Sequence, residues 1–241
     1  MIKIAICGYA GKMGARISHL AAEDKSIKVV LGLEAEGHPS VGLKLYGIEV
    51  SGNRDDIKTA DVLIDFTTPE ATMEHLDAAV KYKKAIVIGT TGFSEDQMSR
   101  IRKAAKKIPI VLSPNMSIGV TLLFRLVKEA AEKLSKDYRV RIIEAHHIHK
   151  KDAPSGTAKM LAKIIREAAM RDPDDIKSVR KGEIVGDHKV AFESPYDTIE
   201  LSHSAKTRDI FAKGALCAAK FIAGKGPKLY DMQDVIMRDG S

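Results

Sequence analysis

The chain has 241 residues, of which 44% are hydrophobic and 29% are charged, so it is composed like one or two globular domains and not like a disordered protein. Its formal net charge of +7 would suit nucleic-acid binding, but only 5% of the residues are aromatic and no basic stripe is interleaved with them. No apolar run approaches the ~20 residues that a membrane-spanning helix needs, and the apolar start is too short for a signal peptide. We therefore expect a cytoplasmic protein without nucleic-acid or membrane partners, whose positive charge serves small anionic ligands.

The first half of the chain alternates predicted strands with predicted helices. Apolar, β-branched runs predict strands at Ile2–Cys7, Ile27–Leu33, Asp61–Phe66, Ala85–Ile88 and Ile108–Leu112. Helical spacing and helix-start signals predict helices over Lys12–Ala22, Glu70–Tyr82 and Ser94–Lys107. This alternation is typical of an α/β fold with a Rossmann-type parallel sheet and helices on both of its faces.

The pattern changes after about residue 116. Helices are predicted over Val120–Leu134 and Thr157–Met170, strands at Val140–Ala145, Ile184–Phe192 and Thr198–His203, and closing helices over Ile210–Ala223 and Tyr230–Met237. The last two strands have no long helix between them, which indicates antiparallel pairing. We therefore predict a dinucleotide-binding domain formed by residues 1–117 and 207–241, and a smaller α+β domain formed by residues 118–206.

A glycine-rich turn follows the first strand and opens the first helix. It consists of Gly8, Tyr9, Ala10, Gly11, Lys12, Met13 and Gly14. In dinucleotide-binding folds the glycines permit a tight turn, close approach of a pyrophosphate to the backbone, and close packing of helix on strand. The spacing is G-x-x-G-x-x-G and not G-x-G-x-x-G, so an ordinary glycine-rich turn is the alternative. We predict that the free N–H groups of this helix start bind the phosphates of a nicotinamide dinucleotide.

Glu34 ends the second predicted strand, about 20 residues after the last glycine of the turn, where a carboxylate binds the ribose hydroxyls of the adenosine. The following residues, Ala35 and Glu36, carry no positive charge that could neutralise a 2′-phosphate. The sequence therefore predicts NADH or NADPH as the cofactor, with NADH favoured.

Further cofactor contacts are expected from three loops at the carboxyl ends of predicted strands, because ligands bind at this edge of such sheets. Ordinary turn chemistry is the alternative for each loop. The predicted contact residues are Phe66, Gly89, Thr90, Thr91, Ser113, Pro114, Asn115 and Met116.

The segment from Glu144 to Thr157 concentrates groups suited to acid–base chemistry on an anion. It contains His146, His147, His149, Lys150 and Lys151. Imidazole titrates near neutrality and can donate a proton, and the lysines supply fixed positive charge. A helix start follows, with Ser155 or Thr157 as its cap, and its N–H groups suit a carboxylate. The alternative, a zinc site, would need a further ligand from elsewhere, and because no partner motif is evident we expect no metal.

Together these blocks resemble the dihydrodipicolinate reductase family. The resemblance rests above all on the block from Glu144 to Thr157. It also includes the glycine turn, Asp65-Phe66-Thr67, Gly89–Phe93, Arg180, His188, His203, Arg208 and Tyr230–Met232, and so covers almost the whole chain. One departure is Ala35, where relatives that tolerate NADP carry a basic residue.

The resemblance implies hydride transfer from the nicotinamide to a dihydrodipicolinate-type cyclic dicarboxylate, which gives tetrahydrodipicolinate in diaminopimelate and lysine biosynthesis. It implies that His146 is the proton donor, that Lys150 is the second catalytic residue, and that His147, Gly156 and Thr157 contact the substrate carboxylates. Arg208 is a further carboxylate contact on its chemistry alone. The family also implies a homotetramer joined through the second domain.

Two alternatives differ from this interpretation in what they require of the sequence. Another dehydrogenase built on the same cofactor domain would not need the block from His146 to Lys150. A non-catalytic NAD-sensing regulator would keep the glycine turn and Glu34, but it would have no reason to place an acid, a lysine and an anion-binding helix start together.

Overall fold

The computed structural model describes residues 1–134 and 137–237. Its contacts divide the chain into two compact units, one formed by Met1–Met116 and the chain from Phe211 onward, the other by Ser117–Ile210. Among the described residues, no helix combines the length and the apolar character required to cross a bilayer.

The strands are β1 (Ile2–Cys7), β2 (Ile27–Leu33), β3 (Lys44–Leu45), β4 (Ile48–Ser51), β5 (Val62–Asp65), β6 (Ala85–Ile88), β7 (Pro109–Leu112), β8 (Arg139–His146), β9 (Asp175–Arg180), β10 (Gly186–Glu193), β11 (Thr198–Ala205) and β12 (Lys228–Tyr230). The α-helices are α1 (Lys12–Ala22), α2 (Pro69–Tyr82), α3 (Glu95–Ala104), α4 (Ile118–Lys133), α5 (Gly156–Ala169), α6 (Asp209–Ile222) and α7 (Met232–Ile236), and Arg54–Thr59 forms a 3₁₀ helix.

The first unit is built on a sheet with the strand order β12-β7-β6-β5-β1-β2-β4-β3. Its strands are parallel, except that β3 pairs antiparallel with β4 at one edge. One core lies between the sheet and α1, α6 and α7, and a second lies between the other face and α2 and α3. The predicted α/β fold with helices on both faces is therefore confirmed.

The position of β1 in this sheet brings three loops together. Cys7, its last residue, pairs with Leu33 of β2 on one side and with Asp65 of β5 on the other. The glycine turn after β1 therefore begins beside Glu34 and beside the loop that follows Asp65.

The second unit is built on a sheet with the strand order β11-β10-β8-β9, in which β10 runs antiparallel to both of its neighbours and β9 runs parallel to β8. Helices α4 and α5 cover it with an apolar core that includes Leu123, Val127, Leu161 and Ile165. The antiparallel pairing predicted for β10 and β11 is confirmed, as is the smaller α+β character of this unit.

Several short elements differ from the sequence-based prediction. Strands β3, β4, β9 and β12 and the 3₁₀ helix are not predicted from the sequence, because each is too short or too polar to show a clear periodicity. The predicted helix Tyr230–Met237 is wrong at its start. Asp231 accepts hydrogen bonds from the backbone N–H groups of Gln233 and Asp234, so the helix begins only at Met232 and Tyr230 ends a strand.

Candidate active site

The glycine turn is shaped by close contacts that exclude side chains. Gly8 has a φ of +72°, in the left-handed region that glycine favours. A Cβ atom on Gly14 would lie 2.4 Å from the carbonyl oxygen of Gly8, so any side chain there would force α1 away from the turn. The first and third glycines of the predicted motif are therefore required by the backbone.

Helix α1 differs from its neighbours at its N-terminus. Gly11 caps it without a side-chain hydrogen bond, whereas Thr68, Ser94, Ser117, Ser155 and Asp231 each accept a hydrogen bond from the first turn of their own helix. The N–H groups that begin a helix need an acceptor, and an anion is a suitable one. The turn thus fits the phosphates of a dinucleotide.

The side chains of two predicted cofactor residues, Tyr9 and Met116, are packed in the core of the first unit. The ring of Tyr9 packs where a Cβ on Gly32 would lie, and its hydroxyl donates to the carbonyl of Leu45 at 3.2 Å. Met116 belongs to the core, and its carbonyl oxygen lies 1.6 Å from where a Cβ on Gly214 would be. Only the backbone of Tyr9 and Met116 is left for a ligand.

Glu34 reaches the glycine turn, because its Oε1 atom accepts a hydrogen bond from the backbone N–H of Ala10 at 2.6 Å. The carboxylate therefore lies beside the N–H groups expected to bind the pyrophosphate. This position fits the predicted role of Glu34 toward the adenosine ribose.

The loops after β5 and β6 are joined to each other. The ring of Phe66 lies where a Cβ on Gly89 would be, and the backbone N–H of Thr67 donates to Oγ1 of Thr90 at 3.0 Å. Thr91 is exposed beside them. After β7, the hydroxyl of Ser113 donates to the carbonyl of Asn115 at 2.8 Å and Pro114 is exposed.

In the second unit, Glu144 and His146 project from the same face of β8, as the alternation of a strand requires. Glu144 is fully buried, and its two oxygens bind two different groups: Oε2 accepts from Nδ1 of His146, and Oε1 accepts from Nη2 of Arg180 at 2.9 Å. Burial alone would raise the pKa of Glu144, but hydrogen bonds from Arg180, Ser178 and His146 lower it to about 2. Glu144 is therefore an ionised acceptor.

Only one ring nitrogen of His146, Nδ1, is bound to Glu144. Because an ionised carboxylate accepts from Nδ1, that nitrogen carries a hydrogen and Nε2 is the one that can exchange. A Cβ on Gly186 would lie 3.1 Å from Nε2, so the glycine leaves room beside it. Burial lowers the pKa of His146, with Lys150 and Arg180 acting in the same direction, and Glu144 partly opposes this shift.

Arg180 and Asp152 hold the loop that carries Lys150. The Nζ atom of Lys150 lies 2.7 Å from Oδ1 of Asp152. Arg180 donates to the backbone carbonyls of Lys150 at 3.3 Å and Asp152 at 2.6 Å while it also binds Glu144. The guanidinium of Arg180 therefore connects the loop that carries Lys150 to Glu144, the carboxylate that binds His146.

His188 adds a second imidazole to this site. Its ring contacts that of His146 edge-on at 5.2 Å between centroids, and its Nε2 lies 3.2 Å from Oγ of Ser155. Burial lowers the pKa of His188 to about 4, with His146 acting in the same direction, so this ring is neutral at neutral pH. The Nδ1 atoms of His147, His188 and His203 are buried and have no hydrogen-bond partner among the described residues, as expected of a site that receives a polar ligand.

The remaining predicted residues are placed as follows. Ser155, and not Thr157, caps α5, so Gly156 and Thr157 lie in its first turn. Arg208 is exposed between β11 and α6. Because β8 ends at His146, His147 and His149 lie in the loop that follows it, with their ring centroids 6.1 Å apart.

The sequence-based prediction did not include Glu144, Asp152, Arg180 and His188 among the site residues. The signal for Glu144 was present, since a residue two positions before His146 in a strand shares its face. The contacts of Arg180 and His188 depend on the pairing of β9 and β10 with β8, and no local pattern reveals that pairing.

One group of potential metal ligands occurs among the described residues, formed by Cys7, Asp65 and His75. In this group Nδ1 of His75 is bound to Oδ2 of Asp65 at 2.7 Å, and Oδ1 of Asp65 lies 2.6 Å from Oγ1 of Thr67. The ligand atoms are thus engaged with one another and with neighbouring hydroxyls, and we assign no metal to them.

Comparisons with known proteins match both units. The profile for "Dihydrodipicolinate reductase, N-terminus" matches residues 2–116, and that for "Dihydrodipicolinate reductase, C-terminus" matches residues 119–236. The chain is 43% identical to the 4-hydroxy-tetrahydrodipicolinate reductase of Syntrophus aciditrophicus over 264 aligned residues, covering 98% of both chains. It is 42% identical to that of Geobacter metallireducens, covering 98% of this chain and 99% of the relative.

A solved structure matches almost the full length of the chain. The dipicolinate-bound dihydrodipicolinate reductase from Paenisporosarcina sp. TG-14 matches with a TM-score of 0.85 and 26% identity, covering 97% of this chain and 99% of the other. With both profiles and full-length identity above 40%, the chain belongs to the dihydrodipicolinate reductase family.

Proposed function

We propose that the protein is a 4-hydroxy-tetrahydrodipicolinate reductase, which transfers a hydride from NADH or NADPH to a dihydrodipicolinate-type cyclic dicarboxylate and so forms tetrahydrodipicolinate in diaminopimelate and lysine biosynthesis. Family membership supports the reaction class. The observation that carries the proposal is the arrangement of Glu144, His146 and Lys150, because it combines an oriented imidazole with a fixed positive charge.

The nicotinamide cofactor supplies the hydride when it is bound. The glycine turn and the start of α1 would hold its phosphates, Glu34 its adenosine ribose, and the loops after β5, β6 and β7 its nicotinamide half. These features fit the group because the turn has no room for side chains and α1 has no side-chain cap.

The second unit supplies binding and protonation of the substrate. We propose that Lys150, His147 and the first turn of α5 at Gly156 and Thr157 bind the two carboxylates, with Arg208 as a further contact. His146 then delivers a proton from Nε2, while Glu144 holds Nδ1 and stabilises the imidazolium form.

A coupled assay tests this function directly. Pyruvate and aspartate semialdehyde are condensed enzymatically, the protein is added, and the absorbance of NADH is followed. Oxidation of NADH that requires both precursors supports the proposal. Equal oxidation with unrelated amino acids or aldehydes would favour another dehydrogenase, and NADH binding without turnover would favour a regulator.

We propose that NADH is used at least as well as NADPH. Close to the end of β2, a cavity of about 890 Å³ has four acidic residues in its lining, Glu36, Glu49, Asp55 and Asp56. Arg54 also lines this cavity, but its guanidinium is bound to Glu74 at 2.8 Å. A 2′-phosphate would therefore meet negative charge on this side of the sheet.

Replacing Ala35 with arginine is expected to shift the preference toward NADPH. The new guanidinium would lie directly after Glu34 and could pair with a 2′-phosphate, and a charge-assisted hydrogen bond contributes about 1.5–3 kcal/mol, or roughly a 10- to 100-fold change in the ratio of kcat/KM values. Steady-state kinetics with both cofactors measure this ratio, and Ala35→Gln is the uncharged control. A wild-type enzyme that strongly prefers NADPH would contradict the assignment.

We also propose a homotetramer joined through the second unit, acting in the cytoplasm. Ile118, Leu122 and Leu126 expose 39%, 47% and 41% of their surface along one side of α4, and β11 is an edge strand of the adjoining sheet. An exposed apolar stripe beside an open strand edge is typical of a subunit interface. Cys7 and Cys217 are unpaired thiols, which suits a reducing compartment.

Sedimentation equilibrium is expected to give four chain masses for the wild type and a smaller assembly for Leu122→Lys, because a charge would be buried in the interface. Leu43→Lys, at a leucine with 54% exposure in the first unit, is the matched control and should stay tetrameric. A monomeric wild type at micromolar concentration would refute the proposed assembly.

A further inference from the structure

Asp65, the last residue of β5, is a carboxylate with no exposed surface. A buried carboxylate is costly unless several donors satisfy it. Its Oδ1 atom lies within hydrogen-bond distance of the backbone N–H of Thr67 at 3.0 Å and of three hydroxyls, those of Thr67 at 2.6 Å, Thr72 at 3.2 Å and Thr90 at 3.2 Å. Its Oδ2 atom is bound to Nδ1 of His75 at 2.7 Å.

His75 provides the positive partner of this carboxylate. It projects from α2 and is 6% exposed. Burial opposes its charge, but the hydrogen bond to Asp65 and the charge of that carboxylate act against this effect and raise the pKa of His75 above its ordinary value. Helix α2 is thereby anchored to the end of β5 by a buried ion pair.

The groups that Asp65 binds belong to the loops around the proposed cofactor site. Thr67 lies in the loop after β5, and its Cγ2 atom lies 2.9 Å from where a Cβ on Gly8 would be, so it packs against the glycine turn. Thr90 lies in the loop after β6 and also accepts from the backbone N–H of Thr67 and from the hydroxyl of Thr72. The carboxylate therefore connects the loops that follow β1, β5 and β6.

We propose that Asp65 and His75 are positioning residues for the dinucleotide: their buried pair, with Thr72, fixes the shape of these three loops and so sets the affinity for NADH. The residues proposed to bind the dicarboxylate belong to the second unit, except for the exposed Arg208 contact, and none of them takes part in this network. This inference rests on the proposed function, since it assumes that the three loops bind the cofactor.

The test uses two near-isosteric substitutions that change the hydrogen bonds of the network, and a serine variant that retains the hydroxyl. Thr72→Val removes the hydroxyl from a buried position that has no proposed contact with NADH, and Thr72→Ser keeps it. Asp65→Asn removes the charge. We expect Thr72→Val and Asp65→Asn to raise the Kd for NADH, measured by fluorescence titration without substrate, by roughly 10-fold or more, and Thr72→Ser to restore near-normal binding.

Two readouts separate positioning from general destabilisation. The KM for NADH should rise while kcat at saturating NADH stays within about twofold, and binding of dipicolinate, a substrate-like dicarboxylate, should be unchanged. Asp77→Asn is the matched control, because Asp77 lies on the same helix but is exposed and paired with Arg100 at 2.8 Å. It should leave the Kd for NADH unaltered.

Each outcome has a separate meaning. If the wild type binds no NADH, the proposed function itself fails. If the wild type binds NADH, and Thr72→Val and a folded Asp65→Asn bind it equally well, the proposed function stands and the positioning role is refuted. Parallel loss of NADH and dipicolinate binding in both variants would likewise refute it, because that pattern indicates loss of the fold.

Discussion

Replacing His146 with glutamine is expected to lower kcat by about 10²–10⁴-fold, the range that general acid catalysis typically contributes. Glutamine keeps a polar group at the end of β8, but it has no proton to deliver at neutral pH. The lost interaction is made mainly in the transition state, so the KM for the dicarboxylate should change little. Stopped-flow and steady-state measurements of NADH oxidation provide both constants.

Lys150→Ala is the comparison for this result. Lys150 is proposed to bind a carboxylate in both the ground state and the transition state, so its loss should alter kcat and KM together. The proposed NADH site lies wholly in the other unit, so the Kd for NADH should be unchanged in both variants. Near-normal turnover of His146→Gln would remove His146 as the acid, and loss of NADH binding would contradict the division of roles between the units.

The pH dependence of kcat/KM follows from the environment of His146. Burial lowers the pKa of this ring, and Lys150 and Arg180 lower it further. Only the imidazolium form can donate a proton, so kcat/KM should fall as the pH rises through this lowered pKa. We therefore expect the wild-type enzyme to lose activity toward alkaline pH from a midpoint below that of an ordinary histidine.

Much of the fold could be predicted because its central elements have strong local patterns. β1 and α1 begin and end where the sequence places them, since an apolar strand, a glycine turn and a helical apolar face follow one another without ambiguity. β3 and β4, by contrast, span only two and four residues at the edge of the sheet. Strands this short show no clear periodicity in the sequence, and their pairing depends on the neighbouring strands of the sheet.

Only those residues of the candidate site that lie in one segment of the chain could be predicted from the sequence. His146 and Lys150 stand four residues apart, and the helix start follows directly, so their grouping is visible in the sequence. Arg180 reaches Glu144 and the Lys150 loop only because β9 pairs in parallel with β8. Contacts between distant segments of this kind arise from tertiary structure and have no local signal.

Glu144 has the second-largest expected effect on the reaction. Glutamine at this position keeps the shape of the side chain but loses the charge that holds Nδ1 of His146 and binds Arg180. The amide could turn its NH2 group toward Nδ1 and so favour the wrong tautomer, and it would leave a mostly buried guanidinium without its carboxylate. We expect kcat to fall by roughly 10²–10³-fold, between the usual effect of a supporting hydrogen bond and that of a triad carboxylate.

The pH profile distinguishes this role from a purely structural one. Because Glu144 raises the pKa of His146 against the effect of burial, its neutralisation should lower that pKa further. The fall of kcat/KM with rising pH should then begin at a lower pH in Glu144→Gln than in the wild type, whereas Glu144→Asp, which keeps the charge, should stay close to the wild-type profile. Glu183→Gln is the matched control, since Glu183 is 84% exposed and faces His149 at 3.9 Å. A reduced kcat with an unshifted profile in a folded Glu144→Gln enzyme would show that Glu144 supports the structure without tuning the acid.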